Sequence, residues 1–324
     1  MAVNLYVICS TGTDPFYNLA LEEFLLSRTG TDDIILYLWQ NHHTVVIGRN
    51  QNPWAECRLS LLNEEQGHLA RRLSGGGAVY HDLGNLNFTF LCQQNHYDVQ
   101  KQLSVIQQAV SLAGICAEFS GRNDLLAGGC KFSGNAFYHS KGHCYHHGTL
   151  LICADLEKMQ RYLSPPKAKL ESKGVSSVRS RVVNLQSLSP DLTCLRMKDL
   201  MVRSFSEVYG CTPIPLSLSA EDEHTVNQLR SKYDDPQWLY GRPFPFTCNM
   251  EGRLSFGSVQ LQLQVKNGII EDLQLFTDAM DDQLPQALCA ALRGCEFKMD
   301  AIHNACREFP FCDELCTLLQ KQVL

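Results

Sequence analysis

Gly75-Gly76-Gly77 follows two arginines and a serine, Arg71, Arg72 and Ser74, and runs on through Ala78-Val79-Tyr80-His81 to Asn85. Successive glycines let backbone N–H groups face a ligand with no Cβ in the way, and the two cations add the charge that an acyl phosphate or nucleotide requires. The chemistry suggested is an anion cradle, although a glycine run also serves turns and linkers. The flanks decide against a linker. Leu69 to Arg72, Ala78 to Asp82 and Leu86 to Leu91 read as strands and pin the glycines at a strand junction.

Lys131 stands at the start of another strand, in which Phe132, Gly134 and Ala136 fall on one face and Lys131 and Ser133 on the other. A lone strand lysine is ordinarily solvated, whereas one facing a glycine-rich anion site is catalytic equipment. Asn123 and Asp124 precede it in a polar turn that their own local hydrogen bonds explain. His139 to Thr149 holds Cys144, His146 and His147, the residue types of a zinc site, without a second ligand pair at structural-site spacing. A hairpin around Lys141-Gly142 explains that stretch better and leaves His147 to face a ligand. Between Arg161 and Leu185 six basic residues stand against the single acid Glu171. Such a loop is usually a solvated one, but it also has the charge a lid over an anionic intermediate requires.

These side chains need a frame. Asp14-Pro15 caps a helix expected to Arg28, with Glu22 and Glu23 at the edge of its apolar stripe and Glu23 on the solvated side. Ile34 to Trp39 and Thr44 to Ile47 read as a hairpin, and helices are expected near Leu59 to Gln66, Gln100 to Leu112, Cys194 to Tyr209 and Ala220 to Tyr233. Asp234 to Pro245 reads as a linker, followed by a hairpin over Lys266-Asn267-Gly268 and helices from about Leu284, Asp300 and Cys312. The segment from Phe246 to the end carries no catalytic constellation.

The chain of 324 residues is long enough for one large and one small domain. A formal charge of −6 excludes the basic face of a nucleic-acid binder. The fifteen cysteines, an odd number with no C-x-x-C, read as free thiols suited to a reducing cytoplasm, and with no export signal or apolar run of membrane-spanning length the expectation is a cytoplasmic protein.

Taken in order, Arg72 to Asn85, Gly121-Arg122-Asn123-Asp124-Leu125, Lys131 to Ala136 and His146-His147-Gly148-Thr149 resemble the bacterial lipoate-protein ligases of the biotin/lipoate ligase superfamily. Lys173-Gly174-Val175-Ser176-Ser177-Val178-Arg179 is similar to that family's adenylate-binding loop. The resemblance implies an α+β fold: a mixed-sheet catalytic domain over 1–241 and a small α+β domain over 242–324. It implies that lipoate attacks the α-phosphate of ATP, and that a lysine of an apo lipoyl domain of a 2-oxoacid dehydrogenase complex, or of the glycine cleavage H protein, then attacks lipoyl-AMP.

Carried over residue by residue, Lys131 contacts the acyl carbonyl and α-phosphate. Arg72, Ser74 and the run Gly75, Gly76, Gly77, Ala78, Val79 and Tyr80 hold the nucleotide and acyl-adenylate, with His81, Asn85, Ser133, His147, Gly148 and Thr149 beside them. Asn123 and Asp124 stand near the phosphates, Asp124 as the Mg2+ ligand, and Lys173, Gly174, Val178 and Arg179 cover the intermediate. Cys130, beside the key lysine, departs from the family pattern. The nearest rival is an acyltransferase of the same fold, using a carrier thioester or preformed adenylate without ATP and a nucleophile such as Cys130 or Cys144. A biotin ligase would need a Gly-Arg-Gly-Arg loop, which is absent. A non-catalytic carrier would have no use for Lys131, Asn123 and Asp124.

Overall fold

The first strand, β1 (Asn4–Cys9), is followed by helix α1 (Pro15–Arg28), where the Asp14 carboxylate accepts from the Phe16 N–H at 2.9 Å and Pro15 sits where no intrahelical donor is needed. The structure is a computed structural model and describes residues 3–120, 124–163, 182–241 and 246–322.

Next come β2 (Asp33–Trp39) and β3 (Thr44–Ile47), which do not form the expected hairpin. β2 lies parallel to β1 and antiparallel to β6 (Asn85–Gln93). β3 joins a separate three-stranded sheet between β4 (His68–Arg71) and β5 (Val79–His81). The turn between them is held from α1, where Asn18 donates to the Gln40 carbonyl and to Asn41 Oδ1, and it leads the chain out of the first sheet. Short helices α2 (Pro53–Glu56) and α3 (Leu59–Glu64) connect β3 to β4, so the glycine triplet falls between two strands of the small sheet.

The large sheet has eight strands in the order β11-β1-β2-β6-β10-β9-β8-β7. The remaining five are β7 (Ala117–Ser120), β8 (Asp124–Ala127), β9 (Cys130–Ser140), β10 (His143–Leu151) and β11 (Ile214–Pro215). Helix α4 (Val99–Leu112) precedes β7, and α5 (Leu156–Tyr162), α6 (Cys194–Tyr209), α7 (Ala220–Tyr233) and α8 (Pro236–Tyr240) complete the larger part of the chain. The side-chain period of two divides the sheet's apolar residues between two layers. Leu36, Leu38, Phe88 and Phe90 pack on Ile106 of α4 and Met201 and Phe205 of α6. Ile35, Tyr37 and Trp39 pack on Leu19 and Phe24 of α1 and Tyr233 of α7. Glu23 is therefore not free in solvent, since Lys232 and Tyr233 each reach its Oε2 at 2.7 Å.

The expected linker holds helix α8, started by Asp235 and Pro236. A small C-terminal domain follows: the sheet β12 (Cys248–Leu254), β13 (Gly257–Lys266) and β14 (Ile269–Thr277), backed by α9 (Leu284–Leu292), α10 (Met299–Cys306) and α11 (Cys312–Gln322). Asn267 and Gly268 take φ of 52° and 77°, the turn geometry that an Asn-Gly pair provides between β13 and β14. Among the described residues no helix is long and apolar enough to cross a membrane.

Candidate active site

β9 carries a bulge that decides where its lysine points. Leu125 pairs with Ser133 and Leu126 pairs with Lys131, so Phe132 is an extra residue. Lys131 consequently shares a face with Gly134 and Ala136, and Ser133 turns the other way, fully buried. The expected pairing of Lys131 with Ser133 on one face is corrected by that single residue. On the adjacent strand Asp124 presents its carboxylate, and Lys131 Nζ lies 2.7 Å from Asp124 Oδ1. Gly134 leaves the lysine its room, because a Cβ there would lie 3.0 Å from Nζ.

The pair borders a cavity of about 520 Å³. Besides Asp124 and Lys131, its wall takes in Arg72, Gly76, Gly77, Ala78, Val79, His81, His147, Gly148 and Thr149 from the residues expected at a site. Leu19, Trp39 and Val46 give it an apolar part. Trp39 on β2 and Lys131 on β9 are separated by β6 and β10, three inter-strand spacings or roughly 14 Å. The space is thus apolar at one end and charged at the other, the shape an acyl chain with a carboxyl head requires.

The arginines do not wait for a ligand. Arg71 gives its guanidinium to the carbonyls of Arg49 (2.8 Å), Gln51 (2.9 Å) and Leu239 (2.6 Å), clamping α8 against β4. Arg72, also buried, donates to Ser74 Oγ at 3.0 Å and to the carbonyls of Gly75 and Gly77 at 2.7 and 2.8 Å. Burial pulls the Arg72 guanidinium down to about 10. Arg72 therefore shapes the glycine loop from behind.

The glycines answer mainly to close packing. Gly76 takes φ of 89°, and its N–H, a donor the cradle would have aimed at an anion, binds the Ala279 carbonyl of the C-terminal domain at 3.0 Å. A Cβ on Gly75 would strike the Ala279 carbonyl oxygen, and one on Gly48 would strike that of Gly76. The C-terminal domain also brings Arg253, Ser255, Phe256, Gly257, Asp278 and Met280 to the cavity, a contribution its sequence gave no reason to expect.

Ser74, Gly75, Tyr80, Asn85 and Ser133 stand outside the cavity wall. Tyr80 packs with Val45 and Tyr162 in a separate cluster, and Asn85 donates to Asn87 Oδ1 at 2.9 Å. That bond orients Asn87 so that its buried Nδ2, which has no partner among the described residues, belongs to the cavity. Asn41 Nδ2 donates to His81 Nδ1 at 3.3 Å, so the proton of the neutral ring sits on Nε2, likewise without a partner. Burial, with Arg72 and His147 adding to it, lowers His81 to about 3 and keeps it neutral. Leaving such a donor unmet costs roughly 1–3 kcal/mol, which a ligand acceptor returns. Asn87 was missed, but its signal was visible: Asn85, Asn87 and Thr89 place polar groups at every second position of an otherwise apolar strand. Asn123, Lys173, Gly174, Val178 and Arg179, with most of the basic loop, lie outside the described residues.

Of the two cysteines considered as nucleophiles, neither lines the cavity. Cys144 is buried with its thiol on Gln94 Oε1 at 2.9 Å, and burial pushes that thiol up.

A mixed sheet between helical layers, with a basic side chain and a carboxylate at the charged end of an elongated cavity, shares its fold with the class of the lipoate ligases. Residues 14–206 match the family model of the lipoyl protein ligase A/B catalytic domain, and residues 244–322 match that of the bacterial lipoate protein ligase C-terminus. The chain is 40% identical over 308 residues to lipoate-protein ligase A of Bdellovibrio bacteriovorus, covering 93% of this chain and 91% of the relative. Its structure is similar to that of P. falciparum LipL1 in complex with lipoate, with a TM-score of 0.85 and 27% identity over 98% of this chain and 99% of that one. It is also similar to lipoate-protein ligase A bound with ATP, with a TM-score of 0.65 and 26% identity over 74% of this chain and 99% of that one. The chain belongs to the lipoyl protein ligase A/B family.

Proposed function

We propose that the protein is an ATP-dependent lipoate-protein ligase. The observation that carries this reading is the Lys131–Asp124 pair at the polar end of a cavity whose other end is apolar. Lipoate enters with its dithiolane toward Leu19, Trp39 and Val46 and its carboxylate toward Lys131. A carboxylate oxygen attacks the α-phosphorus of ATP and pyrophosphate leaves, giving the mixed anhydride lipoyl-AMP. The unprotonated ε-amine of an acceptor lysine then attacks the lipoyl carbonyl and AMP leaves. Lys131 acts in both steps by meeting negative charge as it develops on the phosphate and carbonyl oxygens, where a fixed cation needs no reorganisation. His81 and Asn87 offer neutral donors to ligand acceptors in the same space.

The donor set suits Mg2+, which takes one or two carboxylates and fills its other positions with phosphate oxygens and water. Asp124 and Asp278, both on the cavity wall, would hold it, and it would neutralise charge on the phosphates. Asn123 and the basic residues Lys173 and Arg179 remain in this reading as groups near the phosphates. The division into a catalytic domain over 1–241 and an accessory domain over 242–324 belongs to it as well. Acceptors are apo lipoyl domains of 2-oxoacid dehydrogenase complexes or the glycine cleavage H protein. In support, a structurally similar archaeal ligase from Thermoplasma acidophilum, with a TM-score of 0.66 and 26% identity, was determined in a lipoylation system that includes its E2 lipoyl domain. The thiol-rich composition supports a cytoplasmic setting.

One incubation tests the reading: the protein with lipoate, Mg-ATP and an apo lipoyl domain. Lipoylated product with stoichiometric pyrophosphate is the expected result. Product from added lipoyl-AMP or an acyl-carrier thioester, and none from ATP, overturns it in favour of a transferase.

A further inference from the structure

Along and behind the cavity wall a chain of buried, hydrogen-bonded side chains runs from β2 to the glycine loop. Trp39 Nε1 donates to Thr89 Oγ1 at 3.1 Å, and the Thr89 hydroxyl donates to Glu22 Oε1 at 2.7 Å. His147 Nδ1 lies 2.9 Å from the same carboxylate oxygen, and its Nε2 lies 2.8 Å from Ser74 Oγ. An ionised Glu22 carboxylate can only accept, so Nδ1 carries a proton, and a singly protonated ring then accepts at Nε2 from the Ser74 hydroxyl. Ser74 Oγ in turn accepts from Arg72 Nε at 3.0 Å, and the same guanidinium holds the Gly75 and Gly77 carbonyls. Glu22 is 1% exposed and Arg72 6%, so the relay joins a buried acid to a buried guanidinium through His147 and Ser74.

The spacing of Ser74, His147 and Glu22 is that of a nucleophilic serine with its base and orienting carboxylate. The surroundings exclude that role. Ser74 has no exposure and is not on the cavity wall, and Arg72 already donates to its oxygen. What the relay controls is shape. His147 is the one relay member between Glu22 and Ser74, and it also faces the cavity.

We propose that Glu22 is a positioning residue for adenylate formation: by fixing the His147 tautomer it holds Ser74 and Arg72, and through them the glycine loop that borders the reacting groups. This rests on the ligase reading above. With the ring proton on Nε2 instead, His147 and Ser74 present no acceptor–donor match unless the serine hydroxyl turns away from it. The hydroxyl then turns to the Gly75 carbonyl 3.4 Å away, where it competes with the bonds by which Arg72 holds that carbonyl.

The test combines kinetics with ring spectroscopy on the full chain. Glu22→Gln keeps the side-chain shape and an acceptor for Thr89 but offers His147 an amide in place of a charge. Lipoate- and ATP-dependent pyrophosphate release should fall roughly 10- to 100-fold, as expected when reacting groups lose their register without being removed. Ser74→Ala should fall similarly, and the double variant should be no slower than the slower single one, because Glu22 and Ser74 act through one ring. Multiplicative losses in the double variant overturn the proposal. 15N spectra of the wild-type protein should show His147 with a protonated Nδ1 and an unprotonated Nε2, and Glu22→Gln should shift that balance. A wild-type ring protonated on Nε2 overturns the proposal without any variant having to fold. Absence of pyrophosphate release from wild type is a different failure, that of the ligase reading, and leaves the tautomer measurement to decide the relay.

Discussion

Lys131 Nζ and Asp124 Oδ1 lie 2.7 Å apart across neighbouring strands, with the two side chains 35% and 36% exposed. An ion pair this open contributes at most about 1 kcal/mol to folding, so removing it tests the proposed chemistry with little cost to the fold. Lys131→Ala should leave thermal unfolding nearly unchanged and reduce lipoyl-AMP formation by roughly 10²- to 10³-fold. Transfer from synthetic lipoyl-AMP should fall as well, and full activity in either half-reaction would remove the lysine from the mechanism.

Arg72 should behave in the opposite way. Its guanidinium bonds are internal and its charge is buried, so Arg72→Lys loses the fork that holds two carbonyls and a hydroxyl at once. Removing one partner from a buried charged network costs about 3–5 kcal/mol, and a lysine that keeps the charge should lose a substantial part of that. Urea unfolding monitored by circular dichroism measures the loss. An unchanged midpoint with weaker ATP binding would mean that the arginine serves the nucleotide instead.

Gly75→Ala tests the glycine loop as a packing surface. The new methyl meets the Ala279 carbonyl, so the contact between loop and C-terminal domain must open while the rest of that domain stays folded. The expected result is faster proteolytic release of the C-terminal domain at a similar melting temperature. Wild-type cleavage kinetics would show that the contact adapts.

Two buried histidines set an acid limit. Burial lowers His81 and His146 from the ordinary 6.5 to about 3, with Arg72 and His147 reinforcing it for His81 and His147 for His146. Between those values the unfolded chain binds protons that the folded chain does not, so stability rises with pH across that window and levels off above it. Near pH 5 unfolding should take up about two protons on account of these rings. Urea midpoints at several pH values measure this, and His146→Gln should reduce the uptake by about one. A midpoint that stays flat from pH 7 to pH 5 contradicts the assignment.

Local chemistry made much of the fold legible. The helices Cys194–Tyr209 and Ala220–Tyr233 have the expected bounds because caps and period are properties of neighbouring residues. The Asn-Gly turn and the strands around the glycine triplet were readable for the same reason. What escaped depends on partners distant in sequence. β2 and β3 follow one another in the chain yet belong to different sheets, and no local pattern says so. Arg71 looked like a cation for a ligand because the carbonyls that engage it come from residues as remote as Leu239, and Arg72 did so although its own acceptors, Ser74, Gly75 and Gly77, are close by in sequence. The C-terminal domain has no catalytic motif, and it reaches the site by placement alone.

The extra residue in β9 has a consequence for anyone moving this site elsewhere. Side chains on a strand alternate, so Lys131 reaches the cavity by an even-odd count that Phe132 shifts by one. Copying Lys131 to Ala136 onto a regular strand would keep the motif's chemistry in print and bury its amine in the hydrophobic layer behind the sheet, whereas deleting Phe132 would remove the irregularity and leave the lysine on the face of Gly134. The functional unit is the motif together with its irregularity, and a sequence search that scores the letters alone sees half of it.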